Sequence, residues 1–205
     1  MSIIIKTPDE IEKMREGGKI LRTILLALKE KVSPGIKTYE LSRYAEELFK
    51  KHNVKASFKG YQGYPAPICT AVNEEIVHSI PGNRILHEGD ILSIDAGVFH
   101  KGLHTDAAIT VGVGKISRKT KRFVQTCEEA LAKAIQKAEP GIHIIEISGI
   151  IQDTVEGRGY SIVKELVGHG VGRNLHEEPE VTNFRTRNKG IILRPGMTIA
   201  IEPII

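Results

Sequence analysis

Cysteine is nearly absent from this chain: Cys69 and Cys127 are the only two among 205 residues. Two thiols cannot build a disulfide framework, which excludes the small cross-linked secreted domains and fits a reducing compartment. No stretch of about 18 uncharged apolar residues occurs, so no membrane-spanning helix is expected. The opening residues run through Lys6-Thr7-Pro8-Asp9-Glu10 without a basic start followed by an apolar stretch, so no secretion signal is read there. A soluble protein of the cytoplasm is the expectation.

Apolar residues make up 40% of the chain, enough to bury a core and to argue against disorder. One globular domain over 1–205 is expected, in two related halves of about 1–114 and 115–205. The net charge is +4, and Lys115 to Arg122 (KISRKTKR) concentrates basic character in eight residues. Its plain reading is a solvated loop and helix entry; the sharper one is a patch that rests on RNA or another polyanion. Without interleaved aromatics or a nucleic-acid motif, sequence-specific nucleic-acid binding is not expected.

Thr7-Pro8-Asp9-Glu10 predicts a helix start, with Thr7 as cap, Pro8 in the first turn and Glu10 reaching back. Met14, Leu21, Ile24, Leu25 and Leu28 then follow a helical period, and a second helix is predicted from Thr38 through Leu41, Tyr44, Ala45, Leu48 and Phe49. Strands are predicted at 68–73, 91–99, 103–112 and 161–167, and from Met197 onward. Laid on itself at an offset of 106, the chain repeats Pro34-Gly35-Ile36 as Pro140-Gly141-Ile142, Leu25 as Leu131, Glu40 as Glu146 and Ser42 as Ser148. Two halves of helices beside strands imply an α+β fold rather than an alternating parallel sheet, with a site between them.

The chemistry begins with two aspartates in apolar company, Asp95 in Ile91–Val98 and Asp106 in Leu103–Val111. If Phe99–Gly102 makes the turn of a hairpin, Asp95 and Asp106 pair directly, with Cβ atoms about 5 Å apart. At that distance two ionised carboxylates repel by roughly 3 kcal/mol, which a shared proton or a bound cation would relieve. The plain alternative is two outward aspartates paired with lysines, yet Asp is a poor mid-strand residue. His169 stands between glycines in Gly168–Gly172, with His176 following, so the backbone can bend closely there; the spacing of a phosphate-cradling loop is missing. Glu202 sits among Ile199, Ala200 and Ile201 and needs a partner. Two Asp, one Glu and one His suit Mn, Fe, Co or Zn rather than Ca or a thiolate zinc site, and bridging carboxylates commonly hold a metal pair for hydrolysis.

These motifs, together with Asn73-Glu74, Val77-His78, Ile80-Pro81 and His176-Glu177-Glu178-Pro179, resemble the type I methionine aminopeptidases of the bacterial kind, over essentially the whole chain from Lys6 to Pro203. The resemblance implies the pita-bread fold and two divalent metal ions (Co, Mn, Fe or Zn) held by Asp95, Asp106, His169 and Glu202. It further implies Glu202 as proton acceptor, His176 at the oxyanion, His78 on the substrate amide, and a methionine slot drawn from Phe58, Tyr61, Tyr64, Cys69 and Leu175. The partner is then the N-terminus of a nascent peptide with a small second residue, met by a monomer that associates with the ribosome. Relatives continue through a further strand with a second bridging glutamate, so a C-terminally shortened chain with a weak or empty second metal site is expected. Ser79 replaces a usual glycine. The rival readings are a proline-directed peptidase of the same fold, which carries an extra N-terminal domain, and a catalytically impaired or silent peptide-binding member.

Overall fold

A computed structural model describes residues 2–205. In chain order it contains α1 (Pro8–Lys31), α2 (Thr38–Lys51), β1 (Lys55–Ala56), a 3-10 turn at Tyr61–Gly63, β2 (Ile68–Val72), β3 (Ile91–His100), β4 (Leu103–Gly112), α3 (Arg118–Lys137), α4 (Ile144–Glu156), β5 (Gly168–Gly170), β6 (Glu177–Val181) and β7 (Ile199–Ala200). All strand pairing is antiparallel, which makes this the α+β fold read from the sequence. Among the described residues no helix is long and apolar enough to cross a membrane.

The chain forms two compact units: one is Glu12–Thr120, and the other joins Lys121–Ile205 to the segment ending at Ile11. In the first, the period of α1 and α2 delivers Leu21, Ile24, Leu25, Leu28, Leu41, Ala45, Leu48 and Phe49 to one core. Leu92, Ile94, Ala96 and Val98 of β3 meet them from the sheet, so every second residue of β3 faces the helices. In the second unit, Ala130 and Ala134 of α3 pack with Ile147, Ile151 and Val155 of α4, and with Ile162, Val181 and Leu193.

The internal repeat is a structural repeat. Gly35 and Gly141 take φ of 91° and 97°, which a side chain would resist, and end the turns after α1 and α3. Their N–H groups donate to Leu86 and Leu193 carbonyls at 2.8 and 2.9 Å. Glu40 and Glu146 then accept from the N–H of Lys37 and His143, at 2.8 and 3.0 Å, closing the first turns of α2 and α4. The start of α1 follows the sequence reading as well, with Thr7 N–H donating to Glu10 at 2.8 Å and Glu10 N–H to Thr7 Oγ1 at 3.2 Å.

One predicted strand is absent. Residues 161–167 form no ladder; Val163 N–H donates to the Ile204 carbonyl at 3.0 Å, and the Leu166 carbonyl accepts from Asn183 Nδ2 at 3.5 Å. The strand begins instead at Gly168, where both sides of the chain find partners in β6 and β7. The segment Lys115–Arg122 is mostly exposed and leads into α3, with Thr120 N–H donating to Ser117 Oγ at 3.0 Å, as the plain reading of that run requires.

Leu28→Ala and Ile151→Ala, each at a side chain fully excluded from solvent, should lower stability by about 2–5 kcal/mol in urea unfolding. Glu40→Ala, which removes an acceptor from the exposed first turn of α2, should lower it by about 1 kcal/mol. Equal effects of all three would contradict the two-core packing.

Candidate functional site

In the unit Glu12–Thr120 the hairpin of β3 and β4 carries the two aspartates. Its turn is two residues long: Lys101 and Gly102 take φ of 49° and 84°, the left-handed pair that matches the twist of the flanking strands. Phe99 therefore pairs with His104 and His100 with Leu103, not within a four-residue turn as read from the sequence. The register moves by two, so Asp95 lies opposite Ala108, and Asp106 opposite Gly97. A shift of two keeps every side chain on its face, and both carboxylates stay on the face turned away from the helices, half-buried. They occupy diagonal positions, which in a sheet are about 7–8 Å apart; two ionised carboxylates at that spacing repel by roughly 2 kcal/mol instead of the roughly 3 for a direct pair.

Cys69 on β2 pairs with Asp95 across the sheet, so its thiol joins this face. Burial pushes the thiol up to about 12; the Tyr64 hydroxyl counteracts in part, and the negative Asp95 and Asp106 add to the rise. Tyr64 is held with its hydroxyl 3.2 Å from the Ile68 carbonyl and 3.1 Å from that of Ser79, and its own ionisation is pushed upward by burial first, then by Cys69. The Ser79 carbonyl also accepts from Thr70 N–H at 3.0 Å, which lays the segment after Val77 against β2. His78 on that segment has φ of 59°, an uncommon state that its surroundings must hold, and its N–H bonds to the Cys69 sulfur. Its ring side is exposed. Of the other slot candidates, Phe58 is buried and Tyr61 is exposed on the 3-10 turn.

In the other unit β5 lies between β6 and β7, and His169 is its central residue, opposite Glu180 on one side and Ala200 on the other. The flanking glycines have a packing reason. A Cβ on Gly168 would collide with the Ala200 carbonyl oxygen, and one on Gly170 with that of Glu178. A bulge falls between His169 and Gly170, a device that re-aims side chains. His169 Nε2 lies 3.2 Å from Glu202 Oε1, and its ring centroid is 4.3 Å from that of His176. His176 is exposed, whereas Leu175 beside it is buried.

Glu202 follows β7, and its backbone carbonyl accepts from the fully buried Asn183 at 2.7 Å. Nothing in the sequence pattern singled out Asn183; a polar residue inside a core after a strand gives no periodic signal. Glu202 Oε1 is buried yet accepts no hydrogen bond, although His169 Nε2 is close by. A buried carboxylate oxygen in that state is unfavourable unless a cation completes its shell. Beside an imidazole nitrogen it makes the mixed donor set that first-row divalent metals accept, and the aspartates of β3 and β4 offer further oxygen donors of the same kind. The side chains present thus fit divalent cations.

Residues 12–205 match the metallopeptidase family M24. The chain is 48% identical to the methionine aminopeptidase of Clostridium perfringens and to methionine aminopeptidase 1 of Bacillus subtilis, over 99% of its own length and 82% of theirs. The crystal structure of methionine aminopeptidase from Thermotoga maritima superposes with a TM-score of 0.96 at 44% identity, covering 98% of this chain and 82% of that one. A prolidase from Pyrococcus horikoshii shares the fold with a TM-score of 0.85 at 28% identity, but only 55% of its chain is covered.

Two outcomes follow for the metal-free chain. Cys69 and Cys127 are both pushed up by burial, to about 12 and about 11, so neither should react with iodoacetamide at pH 8 until the chain is unfolded. Because the folded state favours the neutral thiols, their contribution to stability is whole below the unfolded value of 9.0 and declines as pH climbs toward 11. Gly168→Ala should separate β5 from β7 and so weaken metal uptake as well as stability; unchanged zinc binding by calorimetry would refute the reason given for that glycine.

Proposed function

This chain belongs to metallopeptidase family M24, among its methionine aminopeptidases, and from that membership we propose that it removes the first methionine from polypeptides whose second residue is small. The single observation that carries the metal-dependent reading is Glu202 Oε1, buried without a hydrogen bond beside His169. We propose Asp95, Asp106, His169 and Glu202 as the ligands of two divalent cations drawn from Mn, Fe, Co or Zn. Bound there, the cations would polarise the scissile carbonyl and lower the proton affinity of a water.

The remaining steps fall to side chains. Glu202 takes the proton of the attacking water and passes it to the departing amine, a role open to a carboxylate whose oxygen has no competing donor. His176, exposed at the end of its loop with its ring against His169, donates to the oxyanion that develops on the carbonyl carbon's oxygen. His78, set out from the sheet by its left-handed backbone, hydrogen-bonds the amide beside the scissile bond. Tyr64 and Cys69 supply the firm wall of a slot for an unbranched thioether, with Phe58, Tyr61 and Leu175 completing it. Nascent chains are made in the cytoplasm, and the reaction is placed there, on a monomer working beside the ribosome.

Metal-loaded protein should release methionine from Met-Ala-Ser with Mn, Fe or Co, and chelation should stop it. Glu202→Gln, which keeps the shape and removes the base, should lower kcat by about a hundredfold or more. His78→Ala should lower kcat/KM by about tenfold to a hundredfold with metal content unchanged. Absence of methionine release with every one of these metals would falsify the assignment.

A further inference from the structure

Lys6 and Glu177 form an ion pair inside the second unit, with side chains only 1% and 2% exposed. Neither belongs to the ligand or substrate sets above, and a pair so completely removed from water is not a routine surface contact. Its surroundings show what it holds. Glu177 uses its other oxygen to accept from Asn174 N–H at 2.9 Å, which closes the turn Asn174–Glu177 on which His176 stands. Lys6 Nζ also donates to the Ile4 carbonyl at 3.2 Å, and Lys6 N–H donates to the Gly196 carbonyl at 2.8 Å. A Cβ on Gly172 would collide with Lys6 Cε, so that glycine is the opening through which the lysine stem reaches its partner. The buried charge of Lys6 therefore reaches into the loop between His169 and His176 beside Gly172, while His176 stands exposed.

A second tie runs from the same loop to the same N-terminal stretch: Arg173 binds both carboxylate oxygens of Glu10, at 2.7 and 3.1 Å. That pair is exposed on the arginine side and is screened by water. The Lys6 pair is not. Between these two ties the loop presents His176 with its ring 4.3 Å from that of His169.

We infer that Lys6 is a positioning residue for the reaction: through the Glu177 carboxylate it fixes the turn that aims His176 at the substrate carbonyl. The inference rests on the role given to His176 under the proposed function, and it deepens that role. Lys6 touches neither substrate nor metal ligand; its effect is on where an imidazole stands, and small displacements of such a group change turnover by large factors.

The test uses the full chain, zinc-loaded for spectroscopy and Mn-loaded for kinetics, in three variants. Lys6→Met keeps the stem and removes the charge, and Lys6→Met/Glu177→Leu replaces the pair by apolar groups that keep the interior packed should the single change not fold. Glu10→Gln weakens the exposed tie and leaves an amide oxygen to accept from Thr7 N–H at the start of α1. With Met-Ala-Ser, both Lys6 variants should show kcat reduced by about tenfold to a hundredfold and metal per chain unchanged. Glu10→Gln should stay within about twofold of the parent. In zinc-loaded protein the nuclear Overhauser contact between the His169 and His176 rings should vanish in the Lys6 variants and persist in Glu10→Gln. A folded double variant that keeps both kcat and the ring contact overturns the inference, and so does one whose only change is a lower Tm. Should the parent itself release no methionine, the functional reading fails, while the ring contact still decides what Lys6 positions.

Discussion

A carboxylate oxygen that is withdrawn from water and given no donor raises the free energy of a fold, and Glu202 Oε1 is in that condition beside His169. Asp95 and Asp106 add a second constraint, lying diagonally on one face of a hairpin of two ten-residue strands. Two ionised carboxylates at that spacing repel by roughly 2 kcal/mol, a sizeable part of a domain's net stability. Sheet and core are built to resist it. Leu92, Ile94, Ala96 and Val98 anchor the other face of β3 in the helical core, so the aspartates cannot turn away without unpacking it.

The same logic explains why small residues gather around the functional side chains. Gly97 lies opposite Asp106, and a Cβ there would stand 2.7 Å from that of Ser57, whose N–H donates to the Gly97 carbonyl at 2.8 Å. Gly168 and Gly170 let β6 and β7 close on both sides of His169. Gly172 admits Lys6. In each case the glycine serves the approach of a neighbouring group, and the polar side chain next to it gains a fixed direction. Preorganisation of this kind is what makes an electrostatic site effective, because nothing has to reorient when charge moves.

Much of the helical framework could be read from local chemistry. Thr7 and Glu10, Glu40 and Glu146, and the paired Pro-Gly-Ile breaks each satisfy backbone groups within a few residues, so their signal is contained in short windows. Strand 161–167 failed for the opposite reason: its pattern suits a strand, but a ladder needs a partner chain at the right height, and the partners stand beside Gly168–Gly170. The hairpin register lay between these cases. Spacing alone set the parity that puts both aspartates on one face, whereas the left-handed pair Lys101-Gly102 decided which residues oppose them.

Sequence by itself determined which residues carry charge in apolar company, the family they resemble, and the repeat of helix, break and helix, since composition and short-range hydrogen bonding suffice for all three. Tertiary structure alone decided that Cys69 lies beside Asp95 across the sheet, and that Lys6 reaches Glu177 through Gly172. Those relations join residues far apart along the chain. Their energies come from burial and from distances that exist only once the chain has closed around them.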